Sequence, residues 1–239
     1  MHRLAPLDGI ACCIESHTMT IPEVDWLKQF LATDVTLLPE PTIQRAWLCL
    51  GWSVVMAWVG AQLASRLTSR KPERVAVALA CAGWIWLPGP YSLAYWLGLA
   101  FQMPSITTVF LCAGLLGRLL VGGDTPTLGV ADAHRNRFAA MGAALGTCLM
   151  LDTFSLFPAP LYPWGFSIAA LVVVMSVGLL PWVLGSTCRP IGGHWLLPTS
   201  VLLFMALRLP TGNIWDAVMD PWLCVGLIVT LLRQRLRRN

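Results

Sequence analysis

Charge is what this sequence has least of. Only 12% of its 239 residues are Asp, Glu, Lys or Arg, while 56% are hydrophobic. A soluble domain carries about 25% charged residues, so this chain has about half the usual means of staying wet. Its apolar runs are continuous rather than alternating, which excludes a transmembrane β-barrel. Cys-x-x-Cys pairs are absent. Apart from Cys12 and Cys13 the eight cysteines are scattered singly, so neither a zinc site nor a redox motif is signalled. Cys49, Cys81, Cys112, Cys148 and Cys224 lie inside apolar runs, where cysteine behaves as a small hydrophobe. His2, His17, His134 and His194 are too dispersed for a metal cluster or for haem held between facing helices. There is no His-Glu-x-x-His, Gly-x-Ser-x-Gly, Walker A or Gly-x-Gly-x-x-Gly sequence. No cofactor and no metal are therefore expected. The amino terminus lacks the basic start and apolar core of a secretory signal, and Met19 is an alternative start that would remove both early cysteines.

What is present is oil in long stretches. From Ala46 to Leu232 apolar runs follow one another with short polar breaks. A helix needs roughly 20 apolar residues to cross a ~30 Å hydrocarbon core, so the expected fold is all-α, a polytopic transmembrane helical bundle of about seven spans. The runs are 46–65, 75–87, 105–121, 138–157, 166–187, 195–209 and 221–232. Residues 91–102 are a further apolar piece, too short to cross. They read either as an interfacial or re-entrant helix or as an outward extension of the next span, kinked at Pro104. Ahead of the bundle lies a polar segment, 1–43, in which "PEVDWLKQFLATD" has helical apolar spacing and suits a short amphipathic helix on the membrane surface.

The formal charge of +4 sits where topology selects it. Arg66, Arg70, Lys71 and Arg74, the loop 122–137, Arg189 and the tail 233–239 carry basic residues, and the turns "PGP" and "PAPLYPW" carry none. The positive-inside rule then places the amino terminus outside and the carboxy terminus in the cytoplasm, in a bacterial-type inner membrane crossed several times. The expected division is an amino-terminal segment (1–43), a transmembrane bundle (44–232) and a basic cytoplasmic tail (233–239). The expected partners are the lipid bilayer and other proteins of a membrane complex, not nucleic acid.

The most polar stretch within this oil is "RLPTGNIWDAVMDPW", residues 208–222. It reads as an extracytoplasmic connection. Pro210, Gly212 and Asn213 are turn formers, and Asp216 and Asp220 fall on one face of a short helix. Asp220, just before Pro221, suits the N-cap of the final helix. The pair admits two readings. One is a site for a cation, a proton or a polar head group, with carboxylates available for acid–base work. The other is a capping residue beside a solvated loop acid, with Arg208 reaching to the interface. Asp152, between "GTCLML" and "TFSLF", is an ionisable group in an apolar run, where insertion costs a few kcal/mol. It is either a site residue or half of a tie to Arg208. Gln102, beside Pro104, is placed to line an outer cavity. Asp152, Arg208, Asp216, Asp220 and Gln102 are thus the candidate substrate- or ion-path residues, and no catalytic residue is assigned.

Two further patterns concern packing. "GAALG", residues 142–146, permits close helix contact within the bundle. Among twelve tryptophans, Trp47, Trp164, Trp182, Trp195, Trp215 and Trp222 fall near expected interfaces and read as head-group anchors. Three functions of different classes fit this sequence. The first is a non-catalytic subunit or scaffold of a cell-envelope membrane complex, expected from the missing reaction motifs and the few buried charges. The second is a transporter or binding subunit for a small solute or lipid, with Asp152 in the path. The third is an enzyme acting on a lipid-linked substrate at the outer face through Asp216 and Asp220.

Overall fold

Prolines and small polar residues set the helix boundaries, because proline fits the first turn of a helix and breaks its interior. A computed structural model describes residues 38–121, 132–156, 160–183 and 195–236. The amphipathic helix expected ahead of the bundle, the loops at 122–131 and 188–194 and the end of the tail lie outside the described residues. Those described form helices and connections, with no strand among them. Helix α1 (Pro41–Leu67) begins on a proline, and α2 (Lys71–Ile85) carries Pro72 in its first turn. Thr68 builds the turn between them: its hydroxyl accepts from the Arg70 amide and donates to Glu73, and its carbonyl accepts from Arg74 Nε. A 3-10 turn, Gly89–Tyr91, leads to α3 (Leu93–Phe101). Ser92 caps α3, accepting from the Ala94 amide at 3.1 Å and donating to the Ile85 carbonyl at 2.6 Å. After a break at 102–105 come α4 (Ile106–Val121), α5 (Asp132–Thr153), the single-turn α6 (Leu161–Trp164), α7 (Ile168–Val183), α8 (Leu196–Leu207), the short α9 (Ile214–Val218) and α10 (Pro221–Leu236).

Each expected hydrophobic run is mostly helical where it is described, but the seven expected crossings are not matched by seven helices of spanning length among the described residues. With 27 residues, α1 is the one described helix both long and apolar enough to cross a membrane. Ile106–Leu120, Ala139–Thr153, Ile168–Leu180 and Leu196–Leu207 are apolar but shorter. Of these, Leu196–Leu207 has both ends among the described residues, and at 1.5 Å per residue its 12 residues measure about 18 Å against a ~30 Å core. Local breakers set those ends that are described: Pro88 follows α2, Pro104 precedes α4 and Pro210 follows α8. Helix α3 is a discrete nine-residue piece rather than a continuation of α4, since Gln102 at φ 59° turns the chain between them.

Small residues lie where helices meet. Helix α1 runs antiparallel to α2 with Ala57 and Ala61 packed on Ala78, and a Cβ on Gly60 would come within 2.6 Å of Cys81 Sγ. Helix α5 meets α10 in the same way. A Cβ on Gly146 would lie 2.7 Å from Cys224 Sγ, and one on Gly142 would lie 2.8 Å from Leu227 Cδ1. The 142–146 glycines therefore serve contact inside the bundle. The outward faces are large and apolar, with Leu79, Val172, Leu202 and Leu232 among the exposed side chains. The larger core lies between α4, α7, α8 and α9, around Ile106, Val174, Val201, Phe204 and Ile214.

The stretch read as an extracytoplasmic connection is part of that core. Leu209 is 1% exposed, and Asn213, Ile214 and Ala217 are 0%. Turn-forming composition was a sound guide to its local shape but not to its burial, because its polar groups find partners inside the protein.

Candidate functional site

Two breaks in the helical backbone are held in place by side chains of α1. Trp52 Nε1 donates to the Gln102 carbonyl at 3.0 Å, Trp47 Nε1 to the Pro104 carbonyl at 3.1 Å, and Gln44 Nε2 to the Pro210 carbonyl at 3.2 Å. These donors supply what the broken helices lack, since a buried carbonyl needs a partner. A Cβ on Gly51 would lie 2.7 Å from Pro104 Cγ, so the absent side chain there is what lets the first break seat against α1. Trp47 thus works as a hydrogen-bond donor to backbone.

The second break begins at Arg208, which ends α8 in the left-handed region at φ 56° and accepts from the Gly212 amide at 2.8 Å. The chain then folds back on residues 161–165. Asn213 caps α9, its Oδ1 accepting from the Trp215 amide, while its Nδ2 donates to the Tyr162 carbonyl, both at 3.0 Å. Trp215 Nε1 donates to the Leu161 carbonyl at 3.0 Å, and the Ile214 amide to the Gly165 carbonyl at 3.1 Å. Trp215, 4% exposed, is a core residue and not an interface anchor. Gly165 is required by this contact: a Cβ there would sit 1.9 Å from Asn213 Oδ1.

Between these two breaks and the end of α5 lies a cavity of about 1050 Å³. Gln102, Asp152, Asp216 and Asp220 line it. Arg208 does not. Its guanidinium lies over the Phe204 ring at 5.5 Å, and the ion pair among the described residues is Arg70–Glu73. The tie expected between Asp152 and Arg208 is therefore replaced by another. Asp152 Oδ2 accepts from the Tyr162 amide at 2.6 Å, joining the end of α5 to α6.

The three carboxylates are held differently. Both oxygens of Asp220 are taken: Oδ1 accepts from the Leu223 amide at 2.7 Å and Oδ2 from the Ser105 amide at 2.9 Å. One side chain thereby caps its own helix, α10, and the start of α4. Asp216 accepts on Oδ2 alone, from Tyr162 OH at 2.7 Å and Thr211 Oγ1 at 2.5 Å. Burial pushes the Asp216 carboxyl above its ordinary 3.8, and the hydroxyls of Thr211 and Tyr162 pull it part of the way back. The Tyr162 phenol is pushed up by burial first and by its bond to Asp216 second. Asp152 and Asp216 thus each keep one oxygen with no hydrogen-bond donor among the described residues.

The other wall is apolar. Phe101 and Trp222 meet edge to face with ring centroids 4.8 Å apart, and Met103, Met219 and Val225 continue the surface. Phe101 and Trp222 are about half exposed, at 45% and 48%. Sequence reasoning did not single out Tyr162, Thr211 or Phe101. Tyr162 sits in "PAPLYPW", where repeated proline already required irregular backbone with partners elsewhere. No comparable signal marked the other two.

No protein-family model matches the chain, and searches of curated proteins and of solved structures give no match either.

Proposed function

We propose that this chain is a multi-span protein of the inner membrane and a binding or transport subunit for a small solute or lipid, which occupies the cavity beside Asp152 and Asp216. The observation that carries this reading is the meeting of two interrupted helical segments, 102–105 and 208–220, at one cavity. Irregular backbone within a bilayer is tolerated where it is buried in protein or lines a cavity. These segments do both, and discontinuous helices at a central site are a recurring architecture of membrane transporters. The membrane setting is supported by α1, by the small residues between helices and by the large apolar side chains facing outward, an arrangement suited to lipid. Arginine-rich connections orient the bundle with its carboxy terminus in the cytoplasm and its cavity toward the outside.

The cavity is what favours this reading over the scaffold expected from the sequence. An enzyme using Asp216 and Asp220 together has only one carboxylate free, because Asp220 is engaged on both oxygens. The test is native mass spectrometry of the chain extracted from its own membranes, beside the cavity-filling variants Ala100→Trp and Thr153→Trp. A discrete bound mass on the wild type that both folded variants lose supports the reading. A wild type without any such mass, or the same mass on all three, refutes it.

A further inference from the structure

We infer that the occupant is an organic cation with an apolar tail, an alkylammonium or related amphiphile; this rests on the cavity being a binding site, as proposed above. Three independent features give the site its sign. Asp152 and Asp216 line the cavity, each with one oxygen that has no donor among the described residues, and no Lys, Arg or His is among the described residues lining it. The carboxy-terminal ends of α3 and α5 border it, at Ala100–Phe101 and Asp152–Thr153, and a helix presents partial negative charge at that end. The helix amino termini that would attract an anion, those of α4 and α10, are both already occupied by the Asp220 carboxylate. An anion would therefore meet repulsion from the carboxylates.

Size and lining choose the kind of cation. At about 1050 Å³ the space matches the upper range of small-molecule sites, roughly 300–1,000 Å³. It is far too large for a bare ion, and no group of three or more His, Cys, Asp or Glu suited to a metal occurs among the described residues. Aromatic faces attract organic cations, and Phe101, Tyr162 and Trp222 all line the cavity. The Phe101–Trp222 wall, about half exposed, gives an alkyl tail an apolar surface to lie against beside the head-group site.

The experiment uses the full chain in nanodiscs of zwitterionic lipid, titrated calorimetrically with hexyltrimethylammonium, hexanesulfonate and hexanol, which share one tail and differ in charge. The cation should bind saturably and at least about tenfold tighter than the other two, the equivalent of about 1.4 kcal/mol. Asp152→Asn or Asp216→Asn should remove that preference while thermal unfolding shows each variant folded. Trp222→Ala should remove the gain from lengthening hexyl to octyl. Equal or tighter binding of the sulfonate or the alcohol overturns the charge assignment. Displacement of the ammonium by calcium chloride, but not by the same ionic strength of sodium chloride, overturns the organic class. If none of the three probes binds while a native mass remains on the wild type and is lost from Ala100→Trp, the ligand class is wrong and the binding site stands. If that mass is absent too, both readings fall.

Discussion

At Asp216 one carboxylate carries two jobs whose physical demands conflict. Two hydroxyls donate to the same oxygen, which favours the ionised form, while burial opposes it and is the larger effect. The native state therefore holds the Asp216 proton more tightly than the unfolded chain, where an aspartate titrates near ~3.9. Between that value and the raised native one, the unfolded chain has lost its proton and the native state has not. By linkage, the contribution of this group to stability is complete below the unfolded value and is lost as pH rises through the native one. Thermal unfolding in a mild non-ionic detergent, followed from about pH 4 to about pH 8, should show this decline in the wild type. Asp216→Asn, which keeps an acceptor for Tyr162 and Thr211 and cannot titrate, should flatten it. An unchanged slope in the variant would show that burial at this residue does not govern the pH response.

Between helices, the critical tie is Asp220. It closes the amino terminus of α10 and, across the fold, that of α4, with the Ser105 hydroxyl accepting from the Thr108 amide to complete the second cap. Each capped amide contributes about 1–2 kcal/mol, so Asp220→Ala should cost about 2–4 kcal/mol in thermal or denaturant unfolding. Asp220→Asn retains one acceptor oxygen and should cost about half as much; equal losses for the two substitutions would mean that only one of the contacts matters. The first cap was legible in the sequence, since Asp before Pro at the head of an apolar run is an N-cap pattern. The second was not, because it joins residues 115 positions apart and nothing local marks Ser105 as its partner. The same division holds across the site. Asp152, Asp216 and Gln102 stood out as polar groups in oil. Their meeting at one cavity, and the exclusion of Arg208 from it, depend on how 208–220 folds back on 161–165, which only the packed fold decides.

Helix identity over the whole molecule followed from hydrophobic runs and breakers, while helix length did not follow from hydropathy alone. The apolar run at 195–209 yields a helix only over Leu196–Leu207, because Arg208 takes the left-handed region and Pro210 follows. A bundle of such short helices, if it crosses a bilayer several times, fits a thin one. Helices α2 and α8, whose ends lie among the described residues, have 15 and 12 residues. These correspond to about 23 Å and 18 Å against a ~30 Å core. Mismatch costs fractions of a kcal/mol per Å, so several short spans together should register as a measurable penalty in thick lipid. Reconstituted into phosphatidylcholine vesicles, the protein should unfold at a higher temperature with myristoyl-length chains than with erucoyl-length chains, by the equivalent of about 2 kcal/mol. If α1 alone spans, its 27 residues can tilt to fit either bilayer, and the unfolding temperature should be the same in both. A flat response would therefore reduce the membrane-crossing part of this chain to a single helix.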